Sequence, residues 1–363
     1  MSFRKISVVL PCRNEEKTIG ICIDKIKLAL KNYNYEIIVS DSSIDNSASI
    51  AKKKGAILIK HKKVGYGNAY LEGFKKISGD VVILGDADNT YDFSEIPKLL
   101  TNLKNDNLVL GKRKYIKKGA MPTLHRYFGN PILSATLSLL FNSKVKDSHS
   151  GFRAITTLNL KKLNLHTAGM EFASEMIIKA LKTKLKITEV PIHYYPRLGI
   201  SKLNSFRDGW RHLRFMLLYS PAYLFFLPGI LLFFTGLFGL SISAISNSAS
   251  IYTSIISSLI LTLGFQLVFL TLFAKIYLYA VLKEDNKFLA WLTNILSIER
   301  GMLIGGLISI IGLIVGLYQI INFMSSNAVI RPQSLIFVST IIIIGIQLVF
   351  NVFYLSVLGI EKR

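Results

Sequence analysis

The chain has 363 residues, 51% of them hydrophobic, a mean hydropathy of +0.42 and a formal net charge of +22. Length allows two or three domains, and two cysteines, Cys12 and Cys22, without metal-ligand spacing exclude a disulfide framework. The charge is also unevenly placed: from Pro221 onward seven Lys/Arg stand against four acids (net +3), which leaves 37 of the 44 basic and 18 of the 22 acidic residues in the first 220 positions (net +19).

Ile6–Leu10 is a continuous β-branched run, as a strand buried on both faces should be. The apolar run Ile6–Pro11 is too short for the core of a signal peptide and leads straight into the charged Arg13-Asn14-Glu15-Glu16. Helical periodicity follows over Glu16–Leu30, then a strand over Glu36–Ser40, a Lys-rich helix over Ser47–Lys54 and a strand over Ala56–Lys60. A helix over Asn68–Ile77 and a fourth strand over Asp80–Leu84 complete the alternation, which means βαβ units and a largely parallel sheet. Ligands of such sheets bind beyond the carboxyl ends of the strands.

Further along, Tyr127–Phe141 and Phe206–Tyr219 mix aromatic, aliphatic and basic residues as helices lying in a membrane interface do. Phe215–Ala274, Gly301–Ile330 and Pro332–Ile360 contain no charged residue. A spanning helix needs about 20 apolar residues, so four spans are expected, near 221–242, 253–282, 302–324 and 334–358. Polar outer faces of helical period, which a buried soluble bundle would show, are missing. The expected domains are a water-facing unit over 1–220 and a transmembrane unit over 221–363. Three basic residues in the loop Lys283–Arg300, against none and one in the opposite loops, put the first unit in the cytoplasm of a multi-pass membrane protein.

Candidate chemistry lies after the strands. Asp86 and Asp88, flanking Ala87, place two carboxylates on one turn, where they could share a hard divalent cation such as Mg²⁺ with substrate phosphates. Asp41 and Ser42 follow the second strand, where a carboxylate could accept from a nucleobase or the pair could cap the turn. Gly65-Tyr66-Gly67 opens a helix with glycines that would let backbone approach a ligand. His149 and His193 lack zinc-site spacing and are given no catalytic role, and Glu171 and Glu175 stand one helical turn apart.

The segments VVLPCRNEE, EIIVSDSSIDNS, GYGNAYLEGF, GDVVILGDADNTYD, LGKRKY, SHSGFRAI, GMEFASEMIIKA, EVPIHYYPRLGISKL and DGWRHLRFMLLYSP occur in order across residues 6–220. Together they resemble the family 2 glycosyltransferases of the GT-A fold, specifically the polyprenyl- or dolichol-phosphate mannose and glucose synthases. The resemblance implies that Pro11, Arg13, Glu15 and Asp41 hold the nucleotide of a nucleotide sugar, and that Asp86 and Asp88 hold Mg²⁺ or Mn²⁺ with the diphosphate. It implies that Arg113 and Arg126 handle the acceptor phosphate while Arg197, Ser201 and Lys202 close over the site. Two departures concern the donor: Ser40-Asp41 leaves one carboxylate of a usual acidic pair, and Thr90 stands in place of a metal-side amide. The wording TYD and GMEFASEM leans towards the glucose-type members.

The expected function is inverting transfer of a hexose from UDP-glucose or GDP-mannose to polyprenyl phosphate, giving a lipid-linked donor for glycosylation. Two rivals are weaker. A processive polysaccharide synthase would carry a Gln-x-x-Arg-Trp segment, which neither Trp210 nor Trp291 supplies. A transporter or flippase would need a polar pathway, yet Lys275 is the one charge expected inside a span. Nucleic acid is not an expected partner, because a membrane surface accounts for the basic charge; the spans leave room for a homo-oligomer.

Overall fold

A computed structural model describes residues 3–105, 107–199, 205–246, 250–280, 298–326 and 331–359. Ser201, Lys202 and most of the loop 283–300 lie outside the described residues. The chain divides into two compact units, Met1–Met216 and Leu217–Arg363.

The first unit is built on seven strands: β1 (Ile6–Cys12), β2 (Tyr35–Asp41), β3 (Ile57–Lys60), β4 (Val81–Leu84), β5 (Asn107–Ile116), β6 (Arg153–Thr156) and β7 (Lys186–Tyr194). Their order in the sheet is β3-β2-β1-β4-β6-β5-β7. The pairs β1–β2, β1–β4, β2–β3 and β5–β7 are parallel, and β6 runs antiparallel to both β4 and β5. Six strands therefore share one direction.

Helices cover both faces, which is why the central stretches Val8–Leu10, Ile37–Val39 and Val81–Leu84 are continuously apolar. On one face Val8, Leu10, Val39 and Ile83 pack with Ile19, Cys22, Ile23 and Ile26 of α1 (Ile19–Ala29) and with Leu99 of α4 (Ile96–Asn102). On the other, α3 (Tyr66–Phe74) comes so close that a Cβ on Gly73 would stand 2.6 Å from Val9 Cγ1. Two short helices, α2 (Ser47–Lys53) and α6 (Thr157–Leu163), connect strands, and α7 (Phe172–Lys182) leads into β7. Helix α1 starts at Ile19 rather than Glu16, because the Glu15 carbonyl accepts from the Thr18 and Ile19 amides and closes a turn first.

The segment expected to be interfacial begins as a wide π-type turn, His125–Gly129, and continues as α5 (Asn130–Phe141). Leu124, Tyr127, Phe128, Ile132 and Leu139 are exposed along it. The second such segment is α8 (Ser205–Tyr219).

The second unit holds α9 (Leu227–Ile245), α10 (Ile251–Ala280), α11 (Ile298–Ser326) and α12 (Pro332–Gly359). Four helices among the described residues are long and apolar enough to cross a membrane. Small residues let them approach: a Cβ on Gly236 would stand 2.4 Å from the Leu261 amide nitrogen. Polar side chains also meet across helices, Ser258 with Thr340 at 2.7 Å and Asn351 with Gln266 at 3.4 Å.

Candidate active site

The carboxyl ends of β1, β2 and β4 lie side by side, with Cys12 in register with Asp41. Pro11 and Cys12 end β1, and the chain then turns through Asn14, whose left-handed φ of 53° suits an Asn. Asn14 ties the two strand ends together: its amide donates to Ser43 Oγ at 2.7 Å and its Oδ1 accepts from the Ile44 amide at 3.0 Å. Asp41 is buried and accepts from Ser43 Oγ at 2.5 Å, while the Ser42 amide donates to the Cys12 carbonyl. Arg13 is exposed and Glu15 buried. Burial pushes the thiols of Cys12 and Cys22 up to about 12, so both are protonated at neutral pH.

Beyond β4, Asp86 and Asp88 stand either side of the buried Ala87. Asp88 Oδ1 accepts from the Thr90 amide at 3.1 Å and from Thr90 Oγ1 at 2.6 Å. Asp86 Oδ1 accepts from the Tyr66 hydroxyl at 3.0 Å. Desolvation, with the Asp88 charge added, holds the Asp86 carboxyl well above the usual carboxylate range, and the Tyr66 hydroxyl, Arg197 and Arg113 offset this only in part. Gly151, before β6, closes the opposite side: a Cβ there would stand 2.7 Å from Tyr66 Oη and 3.0 Å from Asp86 Oδ2.

Two arginines act on the pair, and a third stands away from it. Arg197 bonds Glu15 through Nη2 and reaches Asp88 Oδ2 through Nη1 at 3.2 Å, joining the β1 and β4 turns. Arg113, on β5, grips Asp147 with Nε at 2.8 Å, Nη2 at 2.6 Å and its amide at 3.0 Å, and lies over the Tyr194 ring. Burial alone would lower the Arg113 pKa, but Asp147 more than reverses it, and Arg113 holds Asp147 low in return. Arg126 is set apart, exposed on the π-type turn above the Tyr127 ring. Among the described candidates the fold thus gathers Pro11, Glu15, Asp41, Asp86, Asp88 and Arg197 at the strand ends, adds Arg113 behind its Asp147 partner, and leaves Arg126 on the apolar surface segment.

Several residues that shape the site carried no signal of their own in the sequence. Asp147 directly precedes the motif SHSGFRAI and carried no pattern of its own. Arg153 is fully buried and donates to the carbonyls of Ser148, Ser150 and Ala173, pinning the loop that carries Gly151 against α7. His149 and His212 meet edge to face at 4.4 Å between ring centres, and His212 Nδ1 lies 2.8 Å from Ser174 Oγ. The glycines around Tyr66 serve a protein neighbour rather than a ligand. A Cβ on Gly65 (φ 130°) would stand 2.2 Å from the Ala168 carbonyl oxygen and one on Gly67 2.0 Å from that of Thr167.

Residues 7–163 match the family model described as Glycosyl transferase family 2, and residues 272–359 match the one described as Glycosyltransferase family 2 C-terminal transmembrane region. The chain is 38% identical to the low-salt glycan biosynthesis hexosyltransferase Agl6 of Haloferax volcanii, over 98% of this chain and 89% of that protein. It is 32% identical to a dolichyl-phosphate hexose transferase of the same organism, over 57% of this chain and 90% of that one. A mycobacterial protein of known crystal structure shares the fold, with a TM-score of 0.50 and 21% identity over 60% of this chain and 75% of that one.

A mostly parallel sheet ending in an Asp-x-Asp turn, followed by four apolar helices, is the architecture of a membrane-embedded GT-A glycosyltransferase. This chain belongs to glycosyltransferase family 2.

Proposed function

We propose that the protein transfers a hexose from a nucleotide sugar, UDP-glucose or GDP-mannose, to a polyprenyl phosphate of the dolichyl type, with inversion, at the cytoplasmic face of a membrane. The observation that carries this reading is the juxtaposition of Asp86 and Asp88 at the strand ends with Arg113 and Arg197 beside them. The likeness to a dolichyl-phosphate hexose transferase supports the lipid-phosphate acceptor.

The residues fit a divalent cation. Both donors are hard carboxylate oxygens on one turn, either side of Ala87, and the cost of burying the Asp86 charge beside Asp88 is what a cation would relieve. Among the described residues no third His, Cys, Asp or Glu joins them to make an all-protein cage. That suits Mg²⁺ or Mn²⁺, which would complete its shell with water and substrate phosphate. When bound by Asp86 and Asp88, the metal would neutralise charge on the departing nucleoside diphosphate.

The rest is positioning by the chain. Asp41, with Arg13, Glu15 and Ser42 around it, would hold the nucleoside beside β1 and β2. A lipid phosphate has a second pKa near 6 and is largely dianionic at neutral pH, so it attacks the anomeric carbon without a strong general base. One of its oxygens forms the new C–O bond while the bond to the diphosphate breaks on the opposite side. The site must bring two anions together and align them, and arginines do this best. Arg113, Arg126 and Arg197 would share the task with Ser201 and Lys202, and the exposed apolar side chains around Arg126 would rest at headgroup level. Residues 1–220 would form the cytoplasmic catalytic part and 221–363 the membrane anchor.

The test is transfer of label from a panel of radiolabelled UDP- and GDP-sugars to polyprenyl phosphate with Mn²⁺ or Mg²⁺. Metal-dependent label in the organic phase from one donor, lost in Asp88→Ala, is the expected result. Nucleotide binding without any lipid-linked product would sink the lipid-acceptor reading.

A further inference from the structure

We infer that the Tyr66 hydroxyl is the positioning group for the Asp86 carboxylate as a metal ligand, and that the first turn of α3 is built to deliver it. This rests on the reading above that Asp86 and Asp88 hold a divalent cation. Ligating carboxylates are commonly fixed by a hydrogen bond from behind, which decides which oxygen faces the metal. Here the Tyr66 hydroxyl donates to Asp86 Oδ1 at 3.0 Å, which leaves Oδ2 as the oxygen it does not engage.

The hydroxyl has little freedom to be elsewhere. The Tyr66 ring meets Tyr70 at 5.1 Å and Phe172 at 6.2 Å between centres, both nearly edge-on. The backbone below it is clamped: the Gly67 amide donates to the Gly169 carbonyl at 3.2 Å and the Asn68 amide to that of Ala168 at 3.0 Å. These two amides at the start of α3 are therefore committed to the 167–169 loop and are not offered to an anion. Glu175, fully buried and paired with Lys179, holds that loop in turn by accepting from the His166 and Thr167 amides and from Thr167 Oγ1. A continuous line of contacts thus runs from the buried Glu175–Lys179 pair through the loop and the Gly65-Tyr66-Gly67 turn to the Asp86 carboxylate. Gly151 leaves room for the hydroxyl from the other side, and a Cβ there would stand 2.7 Å from it.

The test is Mn²⁺ binding by the full-length protein in detergent, followed by electron paramagnetic resonance with UDP or GDP present. Tyr66→Phe keeps the ring and removes only the donor. It is expected to weaken Mn²⁺ binding by about 10–100-fold, to change the Mn²⁺ spectrum, and to leave the unfolding midpoint near that of wild type. Asp86→Asn and the double variant complete the cycle: because Tyr66 acts through Asp86, Tyr66→Phe should add little once Asp86 is gone. Unchanged Mn²⁺ affinity in Tyr66→Phe, or a loss fully additive to that of Asp86→Asn, would overturn the inference. Wild-type protein that binds Mn²⁺ and nucleotide but makes no lipid product refutes the acceptor reading alone. Wild type that takes up no Mn²⁺ refutes the metal site and this inference together.

Discussion

Replacing Asp147 by Asn tests whether the Arg113–Asp147 pair is held inside the protein or screened by water. The two side chains are 9% and 11% exposed, and Arg113 spends its amide, Nε and Nη2 on the carboxylate. Removing one partner of such a pair leaves an uncompensated cation and typically costs about 3–5 kcal/mol. The unit that contains it runs from Met1 to Met216, and at that size about 1 kcal/mol moves the unfolding midpoint by about 2–4 °C. The expected loss is therefore roughly 6–20 °C. Thermal unfolding of the full chain in detergent, followed by near-ultraviolet circular dichroism, measures it. The double variant Arg113→Met, Asp147→Leu should recover most of the midpoint, since an apolar pair of similar volume replaces a buried ion pair at little cost, but should not recover transferase activity. A single variant within about 2 °C of wild type would refute the reasoning and show the pair to be a surface bridge of small worth.

Burial lowers the His212 pKa from 6.5 to about 4, so the folded state takes up this proton later than the unfolded state. Its contribution, about 3 kcal/mol, is present in full above pH 6.5 and is lost as pH falls towards 4; unfolding midpoints across that range should fall less steeply in His212→Gln. Gly151→Ala forces a Cβ to within 2.7 Å of Tyr66 Oη and 3.0 Å of Asp86 Oδ2. A displacement of this kind at a reacting centre costs on the order of 100-fold, so transfer should fall by about that factor with the fold intact by circular dichroism. Arg126 is exposed and lies over the Tyr127 ring; Arg126→Ala should leave the unfolding midpoint within about 2 °C while raising KM for the lipid acceptor several-fold, and an unchanged KM would remove it from the acceptor path.

Much of the fold was legible because its signals are local. The runs beginning at Ile6, Glu36, Ala56 and Asp80 became β2-β1-β4 with β3 at the edge, since the middle of a strand covered on both faces is mostly apolar. The charge-free stretches became α9 to α12, since hydrocarbon thickness fixes their length and composition. Element ends were less legible, as at α1, where a backbone turn at Glu15 delays the helix. The Asp86-Ala87-Asp88 turn could be read because it directly follows a strand.

By itself, then, the sequence determined the alternating sheet, the membrane half and the carboxylate pair, all set by neighbours along the chain. Only the tertiary structure decided what each charge faces. Arg113 meets Asp147 across 34 residues, Arg197 meets Glu15 across 182, and Tyr66 meets Asp86 across 20. It also turned the Gly65 and Gly67 contacts from an expected ligand to the 167–169 loop. Such pairings follow from how strands are ordered and loops pinned, and periodicity along one segment carries no record of which distant segment will lie against it.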